Sequence, residues 1–177
     1  GSSNWMQGWT ALDGYNFLKE QPENSGEVTV TDSDIEAGDN VYWTANNTYI
    51  LDGLVYVEAG ATLNIEAGTV IKGKADSDPT AALIISQDAK IYAEGTATNP
   101  IIFTAENDDL SDPMDVEFNT RGLWGGLIIL GKATLNETAT DGVSYVEGIE
   151  EESDRTIFGG NDDEDNSGVV RYVSIRH

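Results

Sequence analysis

The chain has no cysteine, so it has neither a disulfide framework nor a thiolate metal site. It has one histidine, His177, and nine basic side chains against 32 acidic ones, a formal net charge of -23 over 177 residues. That imbalance argues against nucleic acid, whose phosphates need a basic surface. It equally disfavours an anionic membrane. No apolar run approaches the ~18 residues of a transmembrane helix, and no signal peptide is visible at the start. What the charge favours is solubility, divalent cations or cationic partners. Hydrophobic residues still make up 39% of the chain, and their patterning distinguishes it from a disordered acidic tail.

What is present is a phrase repeated in skeleton. Leu54-Val-Tyr-Val-Glu-Ala-Gly60 is followed by Thr62-Leu-Asn-Ile-Glu-Ala-Gly68, and Ala89-Lys-Ile-Tyr-Ala-Glu-Gly95 is related to both. Leu63 and Ile91 stand 28 positions apart, as do Leu54 and Ala82. Such a period marks a solenoid, in which no coil buries its apolar face alone. Three short strands per coil, joined by glycine turns, describe an all-β parallel β-helix. The spacing predicts strands near 54–58, 62–66 and 69–72, then near 82–86, 90–93 and 101–105. A third coil begins at Leu127-Ile-Ile-Leu130, continues at Ala133-Thr-Leu135 and completes near 169–173. Leu63, Ile91 and Leu135 are then expected in one inward column. Val28-Thr-Val-Thr-Asp32 is a strand leading into the first coil. The whole is a domain over 28–177, of about three coils with long acidic loop insertions.

Residues 1–27 have no solenoid phrasing. They are expected to be an aromatic-rich cap, or the tail of a preceding segment, plus a linker. Arg171-Tyr-Val-Ser-Ile-Arg-His177 reads as a strand with nothing after it. An open last coil leaves N–H and C=O groups unpaired, so a truncated helix is expected, with further coils of the chain or a partner at that end.

The first strand of each coil is apolar on both faces: Leu54 and Tyr56, Ala82 and Ile84, Ile128 and Leu130 point outward. Something must cover that sheet. The N-terminal aromatic segment is the expected cover, and a partner is the alternative. Insertions at 75–79 and 106–117 follow the same strand of consecutive coils and are expected to stack at one corner. A third excursion, 136–167, is expected to leave the third coil after its second strand.

Three chemistries are open. Asp108, Asp109, Asp112 and Asp115 on one loop, and Asn161, Asp163 and Asp165 on another, supply the oxygens that calcium takes. The same residues also read as solvated acidic loops. The second group is not an EF-hand, because Asn166 stands where the turn glycine is needed and no glutamate closes the loop. Tyr56, Tyr92 and Trp124 are candidates for contact with a glycan or partner, joined by Trp43 and Tyr49; Trp124, between glycines, reads alternatively as structural filling. Third, β-helices host polysaccharide lyases and hydrolases. The basic residues form no cluster along the chain and His177 is a poor general base, so no catalytic residue is assigned.

Thr48-Tyr-Ile-Leu-Asp-Gly53, Glu66-Ala-Gly-Thr-Val-Ile-Lys-Gly73, Arg121-Gly-Leu-Trp-Gly-Gly126 and Asp165 through His177 together resemble secreted or surface right-handed parallel β-helix proteins of Bacteroidota, hypothetical or lipoprotein in type, many of them type IX secretion cargo. The resemblance spans roughly 28–177. It implies a right-handed β-helix outside the cell or on its outer surface, with a cell-surface polysaccharide or surface protein as partner. It carries over no activity. The function expected is a non-enzymatic scaffold for adhesion or glycan contact, with calcium as the one cofactor considered. A piece of a polysaccharide-degrading enzyme and a subunit of an outer-membrane-associated surface complex are the alternatives.

Overall fold

The computed structural model describes residues 26–112, 115–117, 119–136, 142–149 and 153–177. The expected N-terminal cap and most of the linker fall outside the described residues. The rest is a parallel β-helix. Strands β1 (Gly26–Val30), β2 (Asn40–Trp43) and β3 (Asn47–Leu51) precede three complete coils. The first is β4 (Leu54–Val57), β5 (Thr62–Ile65) and β6 (Val70–Gly73); the second is β7 (Ala82–Ile85), β8 (Lys90–Glu94) and β9 (Ile101–Ala105). The third begins with β10 (Gly126–Ile129). A hairpin of β11 (Val143–Tyr145) and β12 (Ile157–Gly159) intervenes before β13 (Gly168–Arg171) and β14 (Val173–Ile175) complete it.

Stacking these coils makes three parallel sheets. The first holds β4, β7 and β10; the second β2, β5, β8 and β13; the third β1, β3, β6, β9 and β14. Strands two residues in period put alternate side chains inside. Val55, Val57, Leu63, Ile65, Ile71, Leu83, Ile85, Ile91, Ile101 and Phe103 accordingly fill one core. Corners turn where the Glu-Ala-Gly phrase ends. Gly60 and Gly68 have φ of 81° and 90°, a conformation that costs glycine little. One coil later Asp88 takes the corner with φ 65°, and its carbonyl accepts the N–H of Gly60 at 3.0 Å.

The structure adds a coil ahead of the first predicted one, with β2 and β3 as two of its sides and a 3-10 turn on the other. Val41 pairs with Leu63 and Trp43 with Ile65, while a 3-10 turn at Asp32–Asp34 lies against β4. Its signal was in the sequence: Glu36-Ala-Gly38 is the same corner phrase.

The column through Leu63 and Ile91 continues to Gly168, not to Leu135. Strand β13 therefore supplies the second sheet, β14 the third, and the excursion leaves after the first strand. The misleading signal is plain: Ala133-Thr-Leu-Asn136 copies Ala61-Thr-Leu-Asn64. Alternation fails at the next position, where glutamate replaces Ile65. The backbone there is also engaged elsewhere. Asp165 accepts the N–H of Lys132 at 2.9 Å and Asp163 that of Thr134 at 2.8 Å, while the Lys132 carbonyl accepts the N–H of Asp162 at 3.0 Å. Leu135 packs instead beside Gly159 of the hairpin.

Candidate functional site

The three sheets differ in what lies over them. On the first, Tyr56, Ala82, Ile84 and Leu130 form a second apolar cluster, joined by Val146, Ile149 and Phe158 of the excursion. Ile84, pointing away from the main core, is 0% exposed. The hairpin region thus covers the doubly apolar sheet; the N-terminal segment expected there lies outside the described residues. Arg155 clamps it. Its guanidinium lies 3.7 Å from the centre of the Tyr56 ring and ion-pairs with Glu58 at 2.7 Å and with Asp32.

On the third sheet, Val70 and Ile102 point outward and are sealed by Leu110 of the 106–117 insertion. The two predicted insertions do stack. The Glu106 carboxylate accepts the N–H of Ala75 at 2.7 Å, and a cleft of about 250 Å³ lies between them.

These acidic corners are held together by their own carboxylates. Asp108 is buried and accepts the Thr104 hydroxyl at 2.6 Å and the Leu110 N–H at 2.8 Å. Lys72 donates to its backbone carbonyl at 2.7 Å. Asp109 accepts the N–H groups of Ser111 and Asp112 at 2.8 and 2.9 Å. Those amides, that of Asp112 foremost, hold its carboxyl below the usual carboxylate range. Asp115 accepts the N–H of Asp109 at 2.5 Å and of Val116 at 2.6 Å. On the other loop the Thr134 amide lowers Asp163 in the same way, and Asp165 holds Lys132; Asn161 is exposed. Among the described residues, no group of three His, Asp or Glu side chains is placed to hold a metal ion. Glu150, Glu151 and Glu152 lie outside the described residues.

Two of the three aromatic candidates are structural. Tyr56 is 5% exposed beneath Arg155. Trp124, 7% exposed, stacks on Phe103 with ring centres 6.2 Å apart. Its indole N–H donates to the Arg176 carbonyl at 2.8 Å, and its β-carbon sits where one on Gly73 would come within 2.4 Å. Trp43 and Tyr49 stack on each other in the core, 4.7 Å apart.

Tyr92 remains, on the second sheet, whose outward residues stay exposed or half-buried from β2 to β13. Register puts Tyr42, Asn64, Tyr92 and Val169 in one outward column, rung over rung. Tyr42, 65% exposed, was missed because its strand lay outside the predicted repeat. A parallel column runs Asn40, Thr62, Lys90. Arg171 pairs with Glu94 at 2.8 Å at the margin. Two rings separated by two rungs, ~9.6 Å at the strand spacing, and flanked by carboxamide and hydroxyl groups, make a flat surface suited to apolar faces bordered by hydroxyls.

A family model described as "Pectate-lyase like beta helix domain" matches residues 34–177. No curated protein and no solved structure gives a significant match.

Proposed function

From the premise that this chain belongs to the pectate-lyase-like β-helix domain family, we propose that it is a non-enzymatic scaffold at the outer cell surface or in the secreted space, holding its second sheet against a polysaccharide. The observation that carries this reading is the contrast between the sheets. The first and third are sealed by segments of the chain itself, while the second keeps Tyr42 and Tyr92 in one open column. Exposed aromatic side chains in register are what sugar rings stack on, by apolar burial of their C–H faces. The amide side chain of Asn64 between them, and that of Asn40 beside Tyr42, answer the hydroxyls.

The content of the face supports binding over cleavage. A hydrolase needs two carboxylates flanking the bond. Of the acidic side chains of the described residues, Glu94 and the exposed Glu66 just past β5 stand together at one margin of these columns; Glu94 is paired with Arg171 and Glu66 accepts the N–H of Ala45 at 2.9 Å. A lyase needs both a base and a separate cation to neutralise the uronate, and Lys90 is the one cation there outside an ion pair among the described residues. The test is retention on immobilised polysaccharides, wild type against Tyr42→Ala/Tyr92→Ala. Wild type should be retained and the variant lost at equal melting temperature. Equal retention of both would remove the second sheet from the account. Release of reducing ends or unsaturated uronates would replace the scaffold by an enzyme.

A further inference from the structure

The open sheet also constrains its ligand. Resting on the polysaccharide reading above, we propose that the ligand is an uncharged polysaccharide running across the rungs, and that Asn64 and Asn40 position the Tyr42 ring to receive it.

The first part rests on charge. A polyuronate or sulfated glycan needs a row of cations, and this face does not have one. Its basic groups are Lys90 and Arg171, the latter neutralised by Glu94 at 2.8 Å. Around the face stands a molecule of net charge -23, whose field extends about a Debye length, ~8 Å at physiological salt, and repels polyanions. A cationic polymer would meet no acidic row along the middle of this face either, since its outward acids among the described residues, Glu94 and Glu66 just past β5, stand together at one margin. What the face does offer, Tyr42, Tyr92, Asn40, Asn64 and Thr62, is uncharged. A protein partner fits less well, because interface cores need a contiguous apolar patch and carboxamides interrupt this one.

The second part rests on a hydrogen-bond chain. Asn64 donates from Nδ2 to Asn40 Oδ1 at 2.8 Å and to the Val41 carbonyl at 3.2 Å. Asn40 Nδ2 in turn donates to the Tyr42 hydroxyl at 3.2 Å. Asn40 and Tyr42 are two residues apart on one face of β2. For its hydroxyl to reach Asn40, the Tyr42 ring must lean along the strand instead of standing off the sheet. A leaning ring turns a face to solvent, and fixing it beforehand removes rotamer entropy that binding would otherwise cost. Asn64, directly beside Tyr42 on the next strand, thus acts through Asn40.

The experiment is affinity electrophoresis of the whole chain through uncharged polysaccharides (mixed-linkage β-glucan, mannan, xylan, fully methyl-esterified pectin) and acidic ones (polygalacturonate, carboxymethylcellulose), at low and high salt. The expected result is retardation by at least one uncharged polymer, with the acidic ones weaker at low salt. Stronger retardation by an acidic polymer at low salt would overturn the ligand class while leaving the polysaccharide reading intact. No retardation by any polymer would end that reading and this proposal together. For the positioning role, Tyr42→Ala should weaken binding about tenfold. Tyr42→Phe and Asn40→Ala should each weaken it less, and their double variant no more than either alone. Additive losses, with unchanged melting temperatures, would show Asn40 acting on the sugar directly and sink the positioning role.

Discussion

A β-carbon placed on Gly168 would lie 1.9 Å from the carbonyl oxygen of Ile91. Gly168 is the partner of Ile91 in the inward column and has φ 119°. It is the point at which the chain, returning from the excursion, re-enters the stack. Only a residue without a side chain comes this close to the rung below.

Gly168→Ala should therefore be strongly destabilising, because both the clash and the backbone conformation oppose it. Roughly 2 kcal/mol or more is expected, read as a drop in Tm. Hydrogen exchange should rise at β13 and β14 ahead of β5. A variant with wild-type Tm would mean that β13 does not stack on β8 as described.

The Arg155 clamp predicts a local effect. Burial works against its charge, and Asp32 and then Glu58 more than restore it, raising its pKa. Arg155→Met keeps part of the stem but loses both ion pairs and the contact with Tyr56. The expected cost is about 1–2 kcal/mol, with faster limited proteolysis within 142–159. Unchanged proteolysis would show that Val146, Ile149 and Phe158 hold the cover without the clamp.

Acid should loosen the loops. The folded-state pKa values of Asp109 and Asp163 are lowered, so the stabilisation they give is complete above the unfolded carboxylate range, near pH 4. It is lost as pH falls from there through the lowered folded values. Asp109→Asn/Asp163→Asn should flatten the dependence of Tm on pH below about pH 4 relative to wild type. An identical slope would place the two carboxylates in water, not on the amides of Asp112 and Thr134.

Calcium should not be needed for folding. Asp109 and Asp115 accept backbone amides of their own loop, Asp108 the Thr104 hydroxyl of β9, and Asp163 and Asp165 the amides of Thr134 and Lys132. Thermal melts in EDTA and in millimolar calcium should coincide. A rise in Tm with calcium, abolished by Asp109→Asn, would bear out the ion expected from the acidic spacing.

Much of the architecture was legible in the residues. The three sheets, their order and the strands of the first two coils follow from alternation, since an inward position at Leu63 or Ile91 tolerates little but an apolar side chain. The site was less legible. Tyr56 on β4 and Tyr92 on β8 occupy similar outward positions in related phrases, and nothing local tells them apart. One lies beneath Arg155, nearly 100 positions further along, and the other remains open. Trp124, between glycines, already reads as structural filling, and Phe103 and the Arg176 carbonyl are what it packs against. Tyr42 is announced only by the corner phrase before it, Glu36-Ala-Gly38, which the 28-residue period does not reach.

The amino-acid order alone determined the winding, because a 28-residue period of alternating apolar residues has one economical way to bury them. Tertiary structure decided which segment occupies the second rung of the third coil and which sheets are covered. Ala61-Thr-Leu-Asn64 became a strand, and Ala133-Thr-Leu-Asn136 did not. The difference lies in distant partners: Leu63 finds Val41 and Ile91 on either side, whereas the amides of Lys132 and Thr134 find the carboxylates of Asp165 and Asp163. Contacts so far apart along the chain are settled by what arrives in space, and a four-residue phrase contains no record of that.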